Sequence, residues 1–339
     1  MLTLRSIDGL PTGTDRAAWT QLVEDDPHGT FFHTPDYLET WIAQLGSRVT
    51  VRVHLAERDG RLVGVVPVGR VMEGSPTGPI EVVRFLGGTD VTDYLGPVAR
   101  PEDREDVAAA YIAKLAADAD WDEFVAGGLM QDAGWADAFV RQAREAGMQV
   151  LEVEDEEVCP RVSLAGGYDG YLDRLGGKQR HELRRKARKL QRDGGELQLV
   201  EVAAGDLDAA LGRFFDMAAE VGDDKSRFFV SDEMRAFFHA LAERFAPSGV
   251  LRVHELEVGG MPAASTISLV WGGEWGLYNS AFDQALGMLA PGMVLVGELV
   301  RVAASEGCDV FDLLRGDEAY KYRFGATDRQ LLRATIVRS

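Results

Sequence analysis

No apolar run in the chain reaches the roughly 18–20 residues that a membrane-spanning helix needs. The opening residues, MLTLRSIDGL, lack a basic stretch followed by an apolar one, so no secretory leader is expected. Cysteine is scarce. Cys159 and Cys308 are the only two in 339 residues, which excludes a disulfide scaffold and suits a reduced, cytoplasmic protein. There is no CxxC, no HExxH and no cluster of histidines, so no metal site is expected. The six histidines are scattered, and His239 and His254 read as structural. Positive charge is also short: 36 Lys and Arg against 55 Asp and Glu leave a formal charge of −19. That balance argues against general coating of nucleic acid, DNA included. What remains, 46% hydrophobic and 27% charged residues, describes a globular protein with a real core. The length allows two or three domains.

Against this acidic background the stretch KQRHELRRKARKLQR (178–192) is anomalous, with eight Lys or Arg in fifteen residues. Leu183, Ala187 and Leu190 recur at helical spacing and form one apolar stripe. Gly176-Gly177 and Gly194-Gly195 bracket the helix this implies.

The chain also repeats itself. FFHTPDYLETW (31–41) is echoed by FFVSDEMRAFF (228–238), with Thr34-Pro35 and Ser231 as helix-start signals. RVHLAERDGRLVGVVPV (52–68) matches RVHELEVGGMPAASTISL (252–269), and each reads as a β-hairpin turning at a glycine, Gly60 or Gly260. EDREDVAAAYIAKLAADADWDEF (102–124) and PGMVLVGELVRVAASEGCDVFDL (291–313) each read as a helix running into a strand. Three matches in the same order, at offsets of roughly 190–200 residues, indicate a duplication. Each half reads helix, β-hairpin, strand, helix, strand. The fold class expected is α/β or α+β, with one lobe over 1–160 and a second over 161–339. The acidic, proline-containing stretch EVEDEEVCPRV (152–162) marks the boundary.

A β-hairpin, a further strand, a helix and another strand is also the core order of the GNAT acyltransferases. The chain resembles the tandem-GNAT group that holds the CelD-like acetyltransferases and the Fem-type aminoacyltransferases. The resemblance rests on WTQLVEDDPHGTFFHTPDYLETW (19–41), LGGTDVTDYLGPV (86–98), LGGKQRHELRRKARKL (175–190), YNSAFDQALGMLAPGMVL (278–295) and FDLLRGDEAYKYRFG (311–325). It implies two GNAT-like lobes in tandem, each a mixed, mostly antiparallel sheet flanked by helices. It also implies acyl transfer to an amine by direct attack, with no covalent enzyme intermediate. Such chemistry needs a neutral amine, donors for the tetrahedral oxyanion and an acid for the leaving group.

The resemblance places the chemistry in the second lobe. WGLYNSAFD (275–283) would be the splayed strand that holds the donor, with Ser280 at the donor carbonyl and Asp283 as a candidate base or a turn residue. The pyrophosphate signature of the family is only half matched: Gln284 and Gly287 fit, but Leu289 stands where a small residue is usual. Pro291, Gly292 and Met293, at a helix start, are the alternative anion site. Asp312 lies within a strand and needs a partner, for which Arg315 or a residue of the basic helix is the candidate. Tyr320 is the candidate general acid, or else an aromatic packing on the strand. Lys321 matches the aromatic-Lys pair of Fem-type enzymes and is a candidate for oxyanion or phosphate stabilisation, or else a solvated surface cation. The first lobe has no such pair. Its loop residues Asp90, Asp93 and Tyr94 would serve the acceptor side or simply form turns.

Three uses are open for the basic helix. Its charges would meet an acidic surface of the same protein; or Lys178, Arg180 and Arg184 would bind phosphates of donor or acceptor; or its face would bind tRNA. The reading reached is an acyltransferase with no tightly bound cofactor, moving an acyl group from acyl-CoA to a small-molecule amine or peptide. The alternatives are a transferase using aminoacyl-tRNA, with tRNA as partner, and a non-catalytic binding protein built on a GNAT core.

Overall fold

The computed structural model describes residues 2–76, 78–220 and 228–338. It divides into two units: Met1–Val158 together with Arg329–Ser339, and Cys159–Asp328.

The first unit opens with β1 (Leu2–Asp8), α1 (Gly13–Asp25) and α2 (Pro35–Leu45). Thr34 caps α2 as the sequence predicts: its Oγ1 accepts the Tyr37 N–H at 3.2 Å, and Pro35 takes the first helical position. The hairpin β2 (Thr50–Arg58) and β3 (Arg61–Ser75) turns at Asp59-Gly60, both at positive φ, as a two-residue hairpin turn requires. Next come β4 (Gly78–Phe85), a two-residue β5 (Val98–Ala99), α3 (Arg104–Ala117), β6 (Glu123–Met130), α4 (Trp135–Glu145) and β7 (Gln149–Ser163). β1 with β2, β2 with β3, β3 with β4 and with β5, and β6 with the final strand of the chain pair antiparallel, while β4 and β6 run parallel for three residues, Val82–Arg84 against Glu123–Val125. Phe85, Tyr111, Phe124 and Phe139 pack edge-on in the core under α3 and α4.

The second unit holds α5 (Gly167–Arg174), α6 (Gly177–Gly194), β8 (Leu197–Glu201), α7 (Leu207–Ala219) and α8 (Asp232–Phe245). Ser231 is the residue before α8, as expected, but its side chain makes no capping bond. The second hairpin, β9 (Leu251–Val258) and β10 (Met261–Trp271), turns at Gly259-Gly260, both again at positive φ. It is followed by β11 (Glu274–Phe282), α9 (Pro291–Ser305) and β12 (Val310–Asp312). Here too one pair is parallel, β11 with β12, over three residues. One face of this sheet packs on Leu295, Leu299 and Val300 of α9; Phe214, Phe237 and Phe238 of α7 and α8 are also fully buried. Each unit is thus a mixed, mostly antiparallel sheet with helices, as the repeat implies.

The boundary differs from the expected one. The final strand, β13 (Thr327–Val337), pairs antiparallel with β6, from Leu331–Met130 to Val337–Glu123. Residues 329–339 therefore belong with the first unit and not with 161–339. Repeat matching did not show this because β13 has no counterpart among the three matched pairs.

The two Arg-Val-His copies land at equivalent places. His54 on β2 stacks near Tyr111, and His254 on β9 near Trp275. Burial pushes both imidazoles down to about 4, and the fully enclosed His33 likewise. His33 Nδ1 accepts the Thr30 N–H at 3.1 Å, so protonating it would break that bond.

Two outcomes follow from this packing. Ending the chain at Asp328 removes Leu331 and Ile336, both fully buried and worth roughly 1.5–3 kcal/mol each, and exposes the β6 edge. Such a chain is expected to lose the first unit's cooperative unfolding transition in urea. The second outcome concerns acid. A histidine whose folded-state pKa lies below its unfolded value binds its proton more readily when unfolded, so stability falls as pH drops from about 6.5 towards 4. Each of the three should forfeit about 2 kcal/mol by pH 5, read as a lower urea midpoint at pH 5 than at pH 7.5. An unchanged midpoint would mean that these imidazoles titrate normally.

Candidate active site

The site forms in the second unit, where β11 leaves β12. The two strands pair only through Glu274–Val310, Trp275–Phe311 and Gly276–Asp312. On its other side β11 stays paired with β10 up to Ala264–Phe282, but not evenly: Ile267 faces Asn279 and Ser268 faces Leu277. Tyr278 is the extra residue. A bulge of this kind bends its strand and sharpens the local twist. From Leu277 to Phe282 no described strand pairs with the outer edge of β11. That edge therefore offers backbone N–H and C=O groups to a ligand.

The segment after β11 turns back at once. Asp283 Oδ1 accepts the Ala285 N–H at 2.8 Å and caps a short 3₁₀ segment, Gln284–Leu289. Gln284 is exposed, and its nearest polar partner is the Phe282 carbonyl at 3.4 Å. Leu289, out of place in the sequence signature, packs against the core. Ala290 adopts a left-handed conformation and Pro291 begins α9. The Gly292 and Met293 N–H groups lie in the first turn, where a helix offers them no carbonyl. A Cβ on Gly292 would stand 3.3 Å from the Phe282 ring, so the glycine lets the helix start close against the strand. The basic helix flanks this turn: Lys189 Nζ donates to the Met288 carbonyl at 3.0 Å.

After β12 the chain makes a tight, strained loop. Asp312 is buried, and one partner is Arg161, on the neighbouring end of β7, with Nε and Oδ2 3.2 Å apart. The other carboxylate oxygen accepts the Leu314 N–H at 2.8 Å. Leu314 itself has φ +55°, a conformation that costs a non-glycine residue energy. Lys321 holds this loop. It is buried, and its Nζ donates to the carbonyls of Leu314 (3.1 Å), Arg315 (2.5 Å) and Gly316 (3.1 Å), with Glu318 Oε2 2.9 Å away. Three donors meeting three carbonyls and a carboxylate leave no ammonium proton free. Gly316 is needed here twice over: its φ is +110°, and a Cβ would sit 2.4 Å from the Glu318 carboxylate. Arg315 is half-buried within the same loop.

Tyr320 stands just before the 3₁₀ turn Lys321–Phe324. Its hydroxyl is hydrogen-bonded to Ser280, on the unpaired part of β11. Burial pushes the phenol up to about 12, so it stays protonated at neutral pH. Ser280 and Tyr320 thus meet at the end of β11, Asp283, Gln284, Gly287, Pro291, Gly292 and Met293 follow it along the chain, and Arg315 and Lys321 belong to the loop after β12. Neither Arg161 nor the bulge at Tyr278 can be read from the residues alone, because both depend on which strands lie side by side.

On α6, Gln179 Nε2 donates to the Tyr322 carbonyl at 2.9 Å, tying the helix start to the Tyr320 turn. Arg185 and Lys186 pair with Glu182, and Arg192 pairs with Asp193, all within the helix or at its end. The other five cations, Lys178, Arg180, Arg184, Arg188 and Lys189, have no carboxylate partner among the described residues. The expected acidic surface opposite the helix is not found there. In the first unit, Tyr94 is buried beside Phe32 with Arg329 over its ring, which makes it a packing residue. Asp93 is half-buried in the same loop.

Residues 177–322 match the acetyltransferase (GNAT) domain model. The chain carries a GNAT acyltransferase domain. Similar solved structures cover nearly the whole chain. FemX shares 10% identity over 97% of this chain and 96% of its own, with a TM-score of 0.67. A tandem GNAT protein of the clavulanic acid biosynthesis pathway shares 14% over 98% of each, with a TM-score of 0.51. The C-terminal domain of a putative lysylphosphatidylglycerol synthetase from Agrobacterium fabrum shares 14% over 96% and 91%, with a TM-score of 0.58. No curated protein sequence matches the chain. The tandem GNAT architecture agrees with the internal repeat, and no described helix is long and apolar enough to cross a membrane.

Lys321 is the residue of the GNAT domain most open to test. Lys321→Met should cost about 3 kcal/mol, since it strands three loop carbonyls that no longer find a donor. Lys321→Arg should not restore it, because a planar fork does not fit three converging carbonyls. Urea unfolding checks both. Full stability with lost turnover would mean instead that the ammonium acts on the substrate.

Proposed function

We propose that the second unit transfers an acyl group from acyl-CoA to an amine by direct attack. The observation that carries this reading is the bulged, unpaired end of β11, which runs beside the amides that start α9 and under the Tyr320 hydroxyl. The strand edge suits the amides of an extended pantetheine arm. The first turn of α9 suits a pyrophosphate, and Lys189 of α6 adds positive charge next to that turn. In the reaction the amine nitrogen bonds to the thioester carbon, the C–S bond breaks and the sulfur leaves with the electron pair. The amine gives up a proton and the sulfur gains one.

Tyr320 is the donor in this scheme. A phenol at about 12 lies several units above a thiol near 8.5, so complete proton transfer would be uphill by about 1.4 kcal/mol per unit. Tyr320 therefore works mainly by hydrogen-bonding the charge that develops on oxygen or sulfur, and Ser280 aims it. Asp283 is committed through one oxygen to its cap, so its main role is to shape the donor loop. Lys321 positions Tyr320 by fixing the loop before it. Lys178, Arg180 and Arg184 carry phosphate binding, and Arg315 supports the loop.

The five unpaired cations of α6 also favour a second reading, in which the donor is aminoacyl-tRNA. Calorimetric titration with acetyl-CoA separates the two. Saturable one-site binding, with Tyr320→Phe lowering kcat about 10²-fold while the acetyl-CoA Kd holds, supports the first. A flat titration, together with RNA binding that weakens steeply with salt and less steeply in Arg184→Ala, supports the second.

A further inference from the structure

The first unit contains a cavity of about 420 Å³ that the acyl-transfer reading does not use. It is built on one face of that unit's sheet. Gly64 of β3 faces Val107 of α3; Gly69, an odd number of residues further on, faces the opposite side. On that side Gly69 lies opposite Arg84, and Arg84 lies opposite Val125. Gly69, Gly88 and Gly127 lie among its lining residues. Neighbouring side chains come close to two of them: a Cβ on Gly69 would stand 2.3 Å from Val49, and one on Gly127 would stand 3.2 Å from the Glu156 carboxylate. Trp41, Val49, Val71 and Leu86 supply apolar and aromatic wall.

The charged lining is balanced: Glu73, Asp90 and Glu156 against Arg48, Arg84 and Arg333. Four of the six are mutually satisfied. Arg84 pairs with Glu73 at 2.9 Å, and Arg333 pairs with Glu156 at 2.6 Å, whose carboxylate also accepts the Gly128 N–H. The remaining two, Arg48 and Asp90, are exposed and have no ion-pair partner among the described residues. The two pairs balance each other's charge, and one cation and one anion are left for a ligand.

We infer that this cavity binds a small zwitterion with an apolar or aromatic body, an α-amino acid by chemical class. The body lies against Trp41 and Val71, Arg48 takes the carboxylate and Asp90 takes the ammonium. Six charged groups make the cavity unsuitable for a bare acyl chain. The inference does not rest on the donor reading of the second unit.

The test is calorimetric titration of the full chain with L-tryptophan, L-phenylalanine and L-leucine, each to about 10 mM. At least one is expected to bind saturably at one site. Its N-acetyl and methyl ester derivatives, which lose one charge each, should bind at least about tenfold more weakly. Asp90→Asn and Arg48→Gln alter exposed groups outside the core and should each weaken binding about tenfold with an unchanged urea midpoint. Val71→Trp, which fills the cavity, should abolish it. No saturation by any of the three amino acids would overturn the inference. So would equal binding of the blocked derivatives, or Asp90→Asn and Arg48→Gln without effect.

Discussion

The candidate active site depends on one extra residue. Tyr278 has no opposite number on β10, and its insertion bends β11 away from a parallel partner it has touched for only three residues. The features that the proposed donor site uses follow from that departure: the bare strand edge, the quick return through the Asp283 cap, and the start of α9 close against Phe282. The first unit shows what the fold does without it. There β4 pairs evenly with β3 from Val68–Phe85 to Ser75–Gly78, with no bulge. The gap beyond its own short parallel pair is taken up by the chain itself, where Leu95 donates to the Gly128 carbonyl.

The loop after β12 is the second constraint. It must place a phenol beside Ser280 after a very short strand, and it does so with a left-handed leucine and a glycine at φ +110°, where any side chain would be strained. Such a loop persists only where its surroundings over-determine it. Asp312 ties its beginning through Arg161 and the Leu314 amide, and Lys321 gathers three of its carbonyls. A buried cation shared by three backbone carbonyls and the Glu318 carboxylate makes the loop rigid, and rigidity is what a hydrogen-bond donor aimed at developing charge requires.

Much of this was legible in the residues. The repeat, the two glycine hairpins, the Thr34 cap and the helix-into-strand pairs are local patterns, and local patterns are written in one stretch of chain. The grouping of Ser280, Tyr320 and the α9 start followed from a family resemblance resting on FDLLRGDEAYKYRFG and its neighbours. What escaped was non-local. Arg161 sits in an acidic, unremarkable strand, and nothing in its sequence neighbourhood points to Asp312, 151 positions away. A bulge depends on the register of two strands and not on the type of residue at 278. Tyr94 looked available in a Gly-flanked loop, whereas Phe32 and Arg329 enclose it. The 161–339 boundary failed for the same reason, since β13 reads as a strand but does not say which edge it joins.

The placement of β13 has a consequence for how the protein is made. A ribosome finishes every segment of the second unit by residue 328, while the first unit, begun earlier, still lacks a strand of its sheet. The usual order, in which the N-terminal domain folds first as it emerges, is therefore inverted here. The first unit must wait with the edge of β6 open until residues 329–337 are released, and the part of the chain translated first is the part completed last.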